Sequence, residues 1–172
     1  MKESHFMLDC VPLLETERLT LDGLREEDRA AYNRLCLDEE RNRWWGYDYR
    51  EDLKGVLTED YFLNAAREDF REGRELSFAV RLEGRFIGEV VLHSFDGRGG
   101  AELGCRILPE YAGNGYGAEA FRRAAEWSLG GLGLRCLRGK CFRENTASRR
   151  MLESCMRLVG KNETFLYFEK RG

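Results

Sequence analysis

Three glycines in five residues, Gly113-Asn114-Gly115-Tyr116-Gly117, stand where an apolar strand gives way to a long amphipathic helix. Without side chains there, successive backbone N–H groups can converge, and the helix N-terminus adds about half a positive charge. Phosphate oxygens are the natural ligands of such a nest. Taken alone, the pattern fits an ordinary glycine-rich turn equally well. Its setting narrows the chemistry. A dinucleotide-binding fingerprint follows the first strand of a βαβ unit and has an acidic residue about twenty positions on. Here three strands joined by hairpin-type connections come first, and no Gly-Lys-Ser/Thr follows, so neither a Rossmann nor a Walker loop fits. The only histidines are His5 and His93, and the six cysteines form no Cys-x-x-Cys, so no metal site is expected. Cys105 and Cys141 have no adjacent histidine to activate them and read as inert thiols.

The elements that must position the nest follow from periodicity. Arg18 to Leu21 alternates as a short strand, and Arg25-Glu26-Glu27-Asp28 loads acid onto the start of a helix carrying Ala31 and Leu35. Asn42 to Asp52 is aromatic, charged and poorly periodic. Thr58 can cap a helix running to about Arg71. Leu76 to Leu82 and Phe86 to Leu92 are strands joined by the Glu83-Gly84 hairpin signal, and Ala101 to Leu108 forms a third. The glycine cluster opens a helix with Phe121, Ala124 and Ala125 inward. Then come a strand to Phe142, a helix opened by Asn145, and a C-terminal hairpin turning near Lys161-Asn162. The expectation is an α+β domain spanning 1–172, ordered β-α-α-β-β-β-α-β-α-β-β, with a mostly antiparallel mixed sheet of six or seven strands and about four helices.

Composition sets the outer bounds. The chain has 172 residues, 42% hydrophobic and 34% charged, with a net charge of -3. That supports a sizeable core and gives no basic footprint for nucleic acid. No apolar run is long enough to span a membrane, and Met1-Lys2-Glu3-Ser4-His5 does not begin a secretory leader. A cytoplasmic protein with reduced cysteines is expected, and the late strands offer edges at which a homodimer could pair.

The stretch from Ile107 to Ala120, Ile-Leu-Pro-Glu-Tyr-Ala-Gly-Asn-Gly-Tyr-Gly-Ala-Glu-Ala, resembles the acetyl-CoA signature of the Gcn5-related N-acetyltransferases (GNAT), and more narrowly the RimJ/RimL-like ribosomal-protein branch. Leu14-Glu15-Thr16-Glu17-Arg18-Leu19 and the block from Asn145 to Glu153 agree in order and spacing, so the resemblance covers residues 14 to 169. It implies a GNAT fold whose sheet splays between the strands ending at Leu108 and Phe142. Acetyl-CoA would be the cosubstrate, with its pantetheine against Ile107 and Leu108 and its pyrophosphate on the N–H groups of Gly113, Asn114, Gly115, Tyr116 and Gly117. The sequence departs from the family at Ala112, where Arg or Gln is usual, and near Cys155-Met156, where a helix-ending glycine is usual.

The resemblance also implies direct transfer of an acetyl group to a primary amine, either a protein N-terminus or a small molecule. The amine must lose a proton to attack. Glu102 is the favoured base, with Gly104 beside it clearing room for substrate, and Glu89 is the second candidate. A backbone N–H near Ile107 or Leu108 would stabilise the oxyanion. Asn145 would bond pantetheine, and Ser148, or less strongly Tyr111, would protonate the departing thiolate. Trp44, Trp45, Tyr47 and Asp48 would line the acceptor side and suit a cationic amine. A non-catalytic acyl-CoA sensor on the same fold is the alternative.

Overall fold

The computed structural model describes residues 4–172, so the leader reading of Met1–Glu3 lies outside the described residues. The strands are β1 (Leu14–Glu15), β2 (Leu19–Asp22), β3 (Leu76–Leu82), β4 (Arg85–His93), β5 (Gly100–Ile107), β6 (Cys136–Phe142), β7 (Arg157–Lys161) and β8 (Phe165–Arg171). The α-helices are α1 (Arg29–Leu37), α2 (Glu39–Trp45), α3 (Tyr61–Arg71), α4 (Tyr116–Gly130) and α5 (Thr146–Glu153). They build one eight-stranded sheet in the order β1-β2-β3-β4-β5-β6-β8-β7. Every pairing is antiparallel except β5 with β6.

The sheet is larger than the six or seven strands expected, and the α-helices among the described residues number five. The extra strand is β1, two residues that pair with β2 through Leu14 and Leu21. The extra helix is α2, within the segment read as aperiodic. It has no buried residue, so it carries no apolar stripe to detect. Local chemistry makes it: Asp38 caps it by accepting the Arg41 N–H at 2.8 Å, and Gly46 closes it at φ +79°. The next helix, α3, begins at Tyr61, after a turn in which the Tyr61 N–H donates to the Thr58 carbonyl.

Both faces of the sheet are covered. Phe121, Ala124 and Ala125 of α4 and Leu152 of α5 pack with Phe78, Val90, Leu103 and Leu137 on one side. On the other, Tyr32 and Leu35 of α1 and Phe62 of α3 pack with Ala79, Phe86 and Leu108. This explains why β3 is buried at Ser77, Ala79 and Arg81 as well as at its apolar positions. Arg81, 3% exposed, reaches Asp28 at 2.6 Å and Asp22 at 2.7 Å, tying the start of α1 to the sheet.

The missing glycine after α5 has a visible consequence. The helix closes through Ser154 in right-handed geometry, with the Met156 N–H donating to the Leu152 carbonyl at 2.8 Å. Met156 is buried, and β7 meets β8 with a register shift between Leu158 and Gly160.

Candidate active site

The parallel pairing of β5 and β6 covers only Gly100–Cys136, Ala101–Leu137 and Glu102–Arg138. Beyond Glu102 the strands part, and the rest of β5 presents an unpaired edge. Hydrogen-bond alternation shows which groups that edge carries. The Leu108 N–H donates to the Ile87 carbonyl of β4 at 2.8 Å. Leu108 and Arg106 therefore bond toward β4, while Ile107 and Cys105 turn their N–H groups toward the gap. Of the two residues expected to supply an oxyanion donor, Leu108 is already committed, and only Ile107 has its N–H free to face the opening.

Next to that edge stands the glycine loop. Gly113 and Gly115 adopt φ +82° and +79°, values that L side chains rarely take, and Gly115 is the residue before α4. The first bond into the helix runs from the Glu119 N–H to the Gly115 carbonyl, leaving the N–H groups of Tyr116, Gly117 and Ala118 without helical acceptors. A Cβ on Gly117 would lie 3.4 Å from Ile107 Cγ1, an ordinary contact, so α4 packs against β5 at this position. Arg18 braces the loop. It donates to the Asn114 carbonyl at 3.0 Å, pairs with Glu119 at 3.1 Å and lies 4.6 Å over the Tyr116 ring. Thr16 holds the other Glu119 oxygen, which gives the Leu14–Leu19 block its role beside the loop. The Asn114 side chain turns inward to the Tyr111 and Ala112 carbonyls.

On the opposite face, a cavity of about 560 Å³ runs under α1, α2 and α3 and through the gap to Ser148 and Met151. Sheet register sets out its floor in rows: His93 beside Glu102, Val91 beside Gly104, and Glu89 beside Arg106. Glu89 is 1% exposed. Its Oε1 accepts from Arg106 Nε at 2.8 Å, while its Oε2 has no partner among the described residues. Arg106 also reaches Asn42 Oδ1 at 3.0 Å and stacks 4.4 Å from the Trp45 ring. Glu102 Oε2 lies 3.8 Å from His93 Nδ1, which is itself 2.8 Å from Ser94 Oγ. Burial lowers the His93 pKa; Glu102 opposes that shift and Lys140 reinforces it.

Glu102, Glu89, Ser148, Trp44, Trp45 and Tyr47 all line this cavity, whereas Tyr111, Asn145 and Asp48 do not. Tyr111 packs between the two apolar clusters. Asn145 caps α5, its Oδ1 accepting the Ser148 N–H at 3.2 Å. Asp48 is occupied by Arg50, whose side chain and N–H both bond it and lower its pKa. Asp52 stands in the wall instead, accepting the Tyr47 hydroxyl at 2.6 Å. Beside Glu102, Gly104 makes room for a neighbouring side chain. A Cβ there would meet the Trp45 ring at 3.2 Å, so it is the indole that needs the room.

The sequence reading gave no role to His93, Arg106, Glu75, Asp69 or Asp52, all of which line the cavity. The alternation Glu89-x-Val91-x-His93 could have put His93 on the floor with Glu89. The alternation Glu102-x-Gly104-x-Arg106 puts Arg106 there likewise, and nothing local marks Glu75, Asp69 or Asp52. Burial raises the Cys36 and Cys105 thiols to about 12, which keeps both protonated near neutral pH. No three His, Cys, Asp or Glu side chains among the described residues are grouped to hold a metal ion, and none of their helices is long and apolar enough to cross a membrane.

An acyl-CoA suits the observed cleft: an extended edge for its amides, a glycine-lined helix start for its phosphates and a gap for its thioester. Comparison with known proteins agrees. The chain is 26% identical over 144 residues to the uncharacterized N-acetyltransferase YoaA of Bacillus subtilis, covering 82% of this chain and 80% of that one. Its fold matches Mycobacterium smegmatis RimJ in complex with CoA-disulfide with a TM-score of 0.74, at 21% identity over 95% of this chain and 87% of that one. It also matches spermidine N-acetyltransferase from Vibrio cholerae, in complex with CoA and spermine, with a TM-score of 0.77, at 20% identity over 91% and 96%. The model of the acetyltransferase (GNAT) domain matches residues 18–155. The chain belongs to the GNAT family of acetyltransferases, enzymes that use acetyl-CoA.

Proposed function

We propose that this chain, acting as one domain over 1–172, transfers an acetyl group from acetyl-CoA directly to a primary amine held in the cavity under α1–α3. The observation that carries this reading is the gap itself. The carboxylate-lined cavity passes through it to the unpaired β5 edge and Ser148, so both reactants can meet without a covalent enzyme intermediate.

The nest of Gly113 to Ala118 holds the pyrophosphate, and the edge at Cys105 and Ile107 holds the pantetheine amides. The cosubstrate supplies an activated acetyl thioester. The Ile107 N–H serves as donor to the acyl oxygen. When Nδ1 of His93 carries the proton and donates to Ser94, Nε2 has its lone pair free over Gly104. Nε2 accepts the amine's proton, and Glu102 stabilises the imidazolium that results. The Ser148 hydroxyl, across the gap, donates a hydrogen bond to the departing thiolate, which takes up a proton from solvent as the His93 imidazolium gives its own up. Glu102, the residue favoured from sequence, thus acts through His93. A cytoplasmic setting is supported by six cysteines that are all free thiols. A homodimer would form at the β7 edge, where Leu158 and Val159 are 45% and 50% exposed.

Calorimetry and thiol release test the reading together. Acetyl-CoA is expected to bind at micromolar levels and to release free thiol when primary amines are added. No binding up to millimolar acetyl-CoA overturns the proposal. Binding without thiol release, across a library of small amines and peptide N-termini, would establish the sensor alternative.

A further inference from the structure

Two adjacent residues of α2 face opposite sides of the gap. Trp44 meets the Phe142 ring of β6 edge-on, 5.6 Å between centroids, and Phe142 in turn packs on Phe165 of β8 at 4.7 Å. Trp45 turns the other way and seats its six-membered ring over Gly104 of β5. Its Cη2 and Cζ3 lie 3.2 and 3.3 Å from where a Cβ on Gly104 would stand. The short helix therefore lies across the opening between the strands that part beyond Glu102.

No residue of α2 is buried, and one guanidinium fixes its indole. Arg106 lies 4.4 Å from the Trp45 ring and donates to Oδ1 of Asn42, one helical turn before it, at 3.0 Å. It also donates to Glu89 Oε1 at 2.8 Å and to Cys36 Sγ at 3.2 Å. The Asn42 amide is itself committed, its Nδ2 donating to the Cys36 carbonyl at 2.6 Å. An indole stacked on a cation that cannot turn without giving up an ion pair is a fixed wall. That wall stands at the reacting end, because His93 Nε2 is 3.9 Å from the same Cβ position that Trp45 meets. An amine giving its proton to Nε2 brings its nitrogen within about 3 Å of it. The first carbon of the acceptor then has the indole edge on one side and the cosubstrate on the other. A close-packed wall that cannot move rejects an added methyl.

We propose that Trp45 is a specificity-determining residue that reads branching at the reacting carbon: it admits amines borne on a CH2 group and disfavours those on a substituted carbon. This rests on the amine-acetyltransferase reading, with His93 taking the proton, and narrows its substrate class from primary amines in general to unbranched ones. Alkylamines, side-chain amines of the lysine type and a glycine N-terminus fall inside that class, and N-termini bearing a side chain fall outside it. Arg106 is the positioning residue behind Trp45. A wall that tells one methyl from none is worth about 10- to 200-fold in kcat/KM.

Two matched pairs of acceptors test this by thiol release from the intact chain. One is n-butylamine against its isomer sec-butylamine; the other is a peptide beginning with glycine against the same peptide beginning with alanine. In whichever pair turns over, the unbranched member is expected to show at least about tenfold higher kcat/KM. Trp45→Leu should bring the branched member to within about threefold by speeding it, not by slowing the unbranched one. Acetyl-CoA affinity in calorimetry should stay unchanged, whereas a merely structural role for Trp45 would slow both acceptors alike. Trp45→Phe, which keeps a ring against Arg106, should fall between the two and decides the matter if Trp45→Leu does not fold. Equal kcat/KM within both pairs in the wild-type chain overturns the proposal whatever the variants do. So does a preference undiminished in a variant that still binds acetyl-CoA, or one lost only because the unbranched acceptor slows. In each of those cases thiol release leaves the acetyltransferase reading standing. Absence of thiol release with every amine removes that reading and this inference with it.

Discussion

On the cofactor wall of the cleft, the groups suited to an acyl-CoA are main-chain N–H groups. They belong to Ile107 on the open edge and to Tyr116, Gly117 and Ala118 at the start of α4, all within one short run of chain. On the wall proposed for the acceptor they are side chains from scattered positions: Asp52 in a loop, Asp69 on α3, Glu75 before β3, Glu89 and His93 on β4, Glu102 on β5. A backbone site needs correct φ values and a few absent side chains. A side-chain site needs rows of strands in register and ion pairs that hold each group in place. The two walls should therefore fail differently when mutated.

The largest effect is expected at the ion pair that organises the acceptor wall. Arg106, its side chain 9% exposed, bonds Glu89 and Asn42 and stacks on Trp45. Arg106→Ala would leave the Glu89 carboxylate buried with no counter-charge, a loss of about 3–5 kcal/mol. Urea denaturation should show the midpoint fall accordingly. A loss under about 1 kcal/mol would mean that the wall does not depend on this pair.

The cofactor wall should break through its backbone. Space is not the obstacle at Gly115, since the nearest atom to an added Cβ is Arg18 Nη2 at 3.5 Å. The obstacles are φ +79° and charge: in Gly115→Asp the new carboxylate would occupy the anion nest and draw Arg18 off Glu119 and the Asn114 carbonyl. Acetyl-CoA affinity should drop about a hundredfold, roughly 2.7 kcal/mol, with little change in the urea midpoint. Undiminished affinity by calorimetry would move the phosphates elsewhere.

This contrast also explains what could be read before the fold was known. Gly113, Gly115 and Gly117 are legible because a backbone site writes itself into consecutive residues, and Leu14–Leu19 was legible as a block although its bracing of the loop through Arg18 was not. The order of strands was legible too, because β3, β4 and β5 are joined by short connections. The short β1 has too few residues to show a period, and α2 has no apolar face to show one. Asp48 stands out in sequence because it adjoins the aromatic run, yet position in a loop gives no direction, and Arg50 two residues on decides where Asp48 points. Glu75 and Asp69 needed the cross-strand register and the packing of α3 over the sheet, neither of which any local pattern encodes.

A smaller effect should appear in the pH profile. Burial lowers the His93 pKa, so the imidazole is neutral and able to accept a proton at all pH values above a midpoint that lies below 6.5. The low-pH limb of kcat/KM, which reports the free enzyme, should fall at that midpoint. Glu102 raises the His93 pKa, so Glu102→Gln should shift the limb to still lower pH while slowing turnover. His93→Gln should remove the limb and cost about 10²-fold in kcat. A Glu102→Gln enzyme with unchanged rate and unchanged limb from pH 6 to 9 would take both residues out of the proton path.

The smallest predicted effect separates two neighbouring acids on the acceptor wall. Asp52 lines the cavity and accepts the Tyr47 hydroxyl, and burial together with that bond raises the Tyr47 pKa. In Asp52→Asn, Tyr47 keeps an oxygen acceptor but the wall loses a charge, so KM for a cationic amine should rise a few-fold with kcat nearly unchanged. Asp48 points to Arg50 at the surface and contributes nothing to the cavity. Asp48→Asn should leave KM unmoved at low and high salt alike, since no acceptor charge lies near enough to feel it. The reverse pattern, a raised KM in Asp48→Asn and none in Asp52→Asn, would mean that the loop from Gly46 to Asp52 turns over when the amine enters. The acceptor wall would then be a surface that forms on binding, and its contrast with the preset backbone nest would be sharper still.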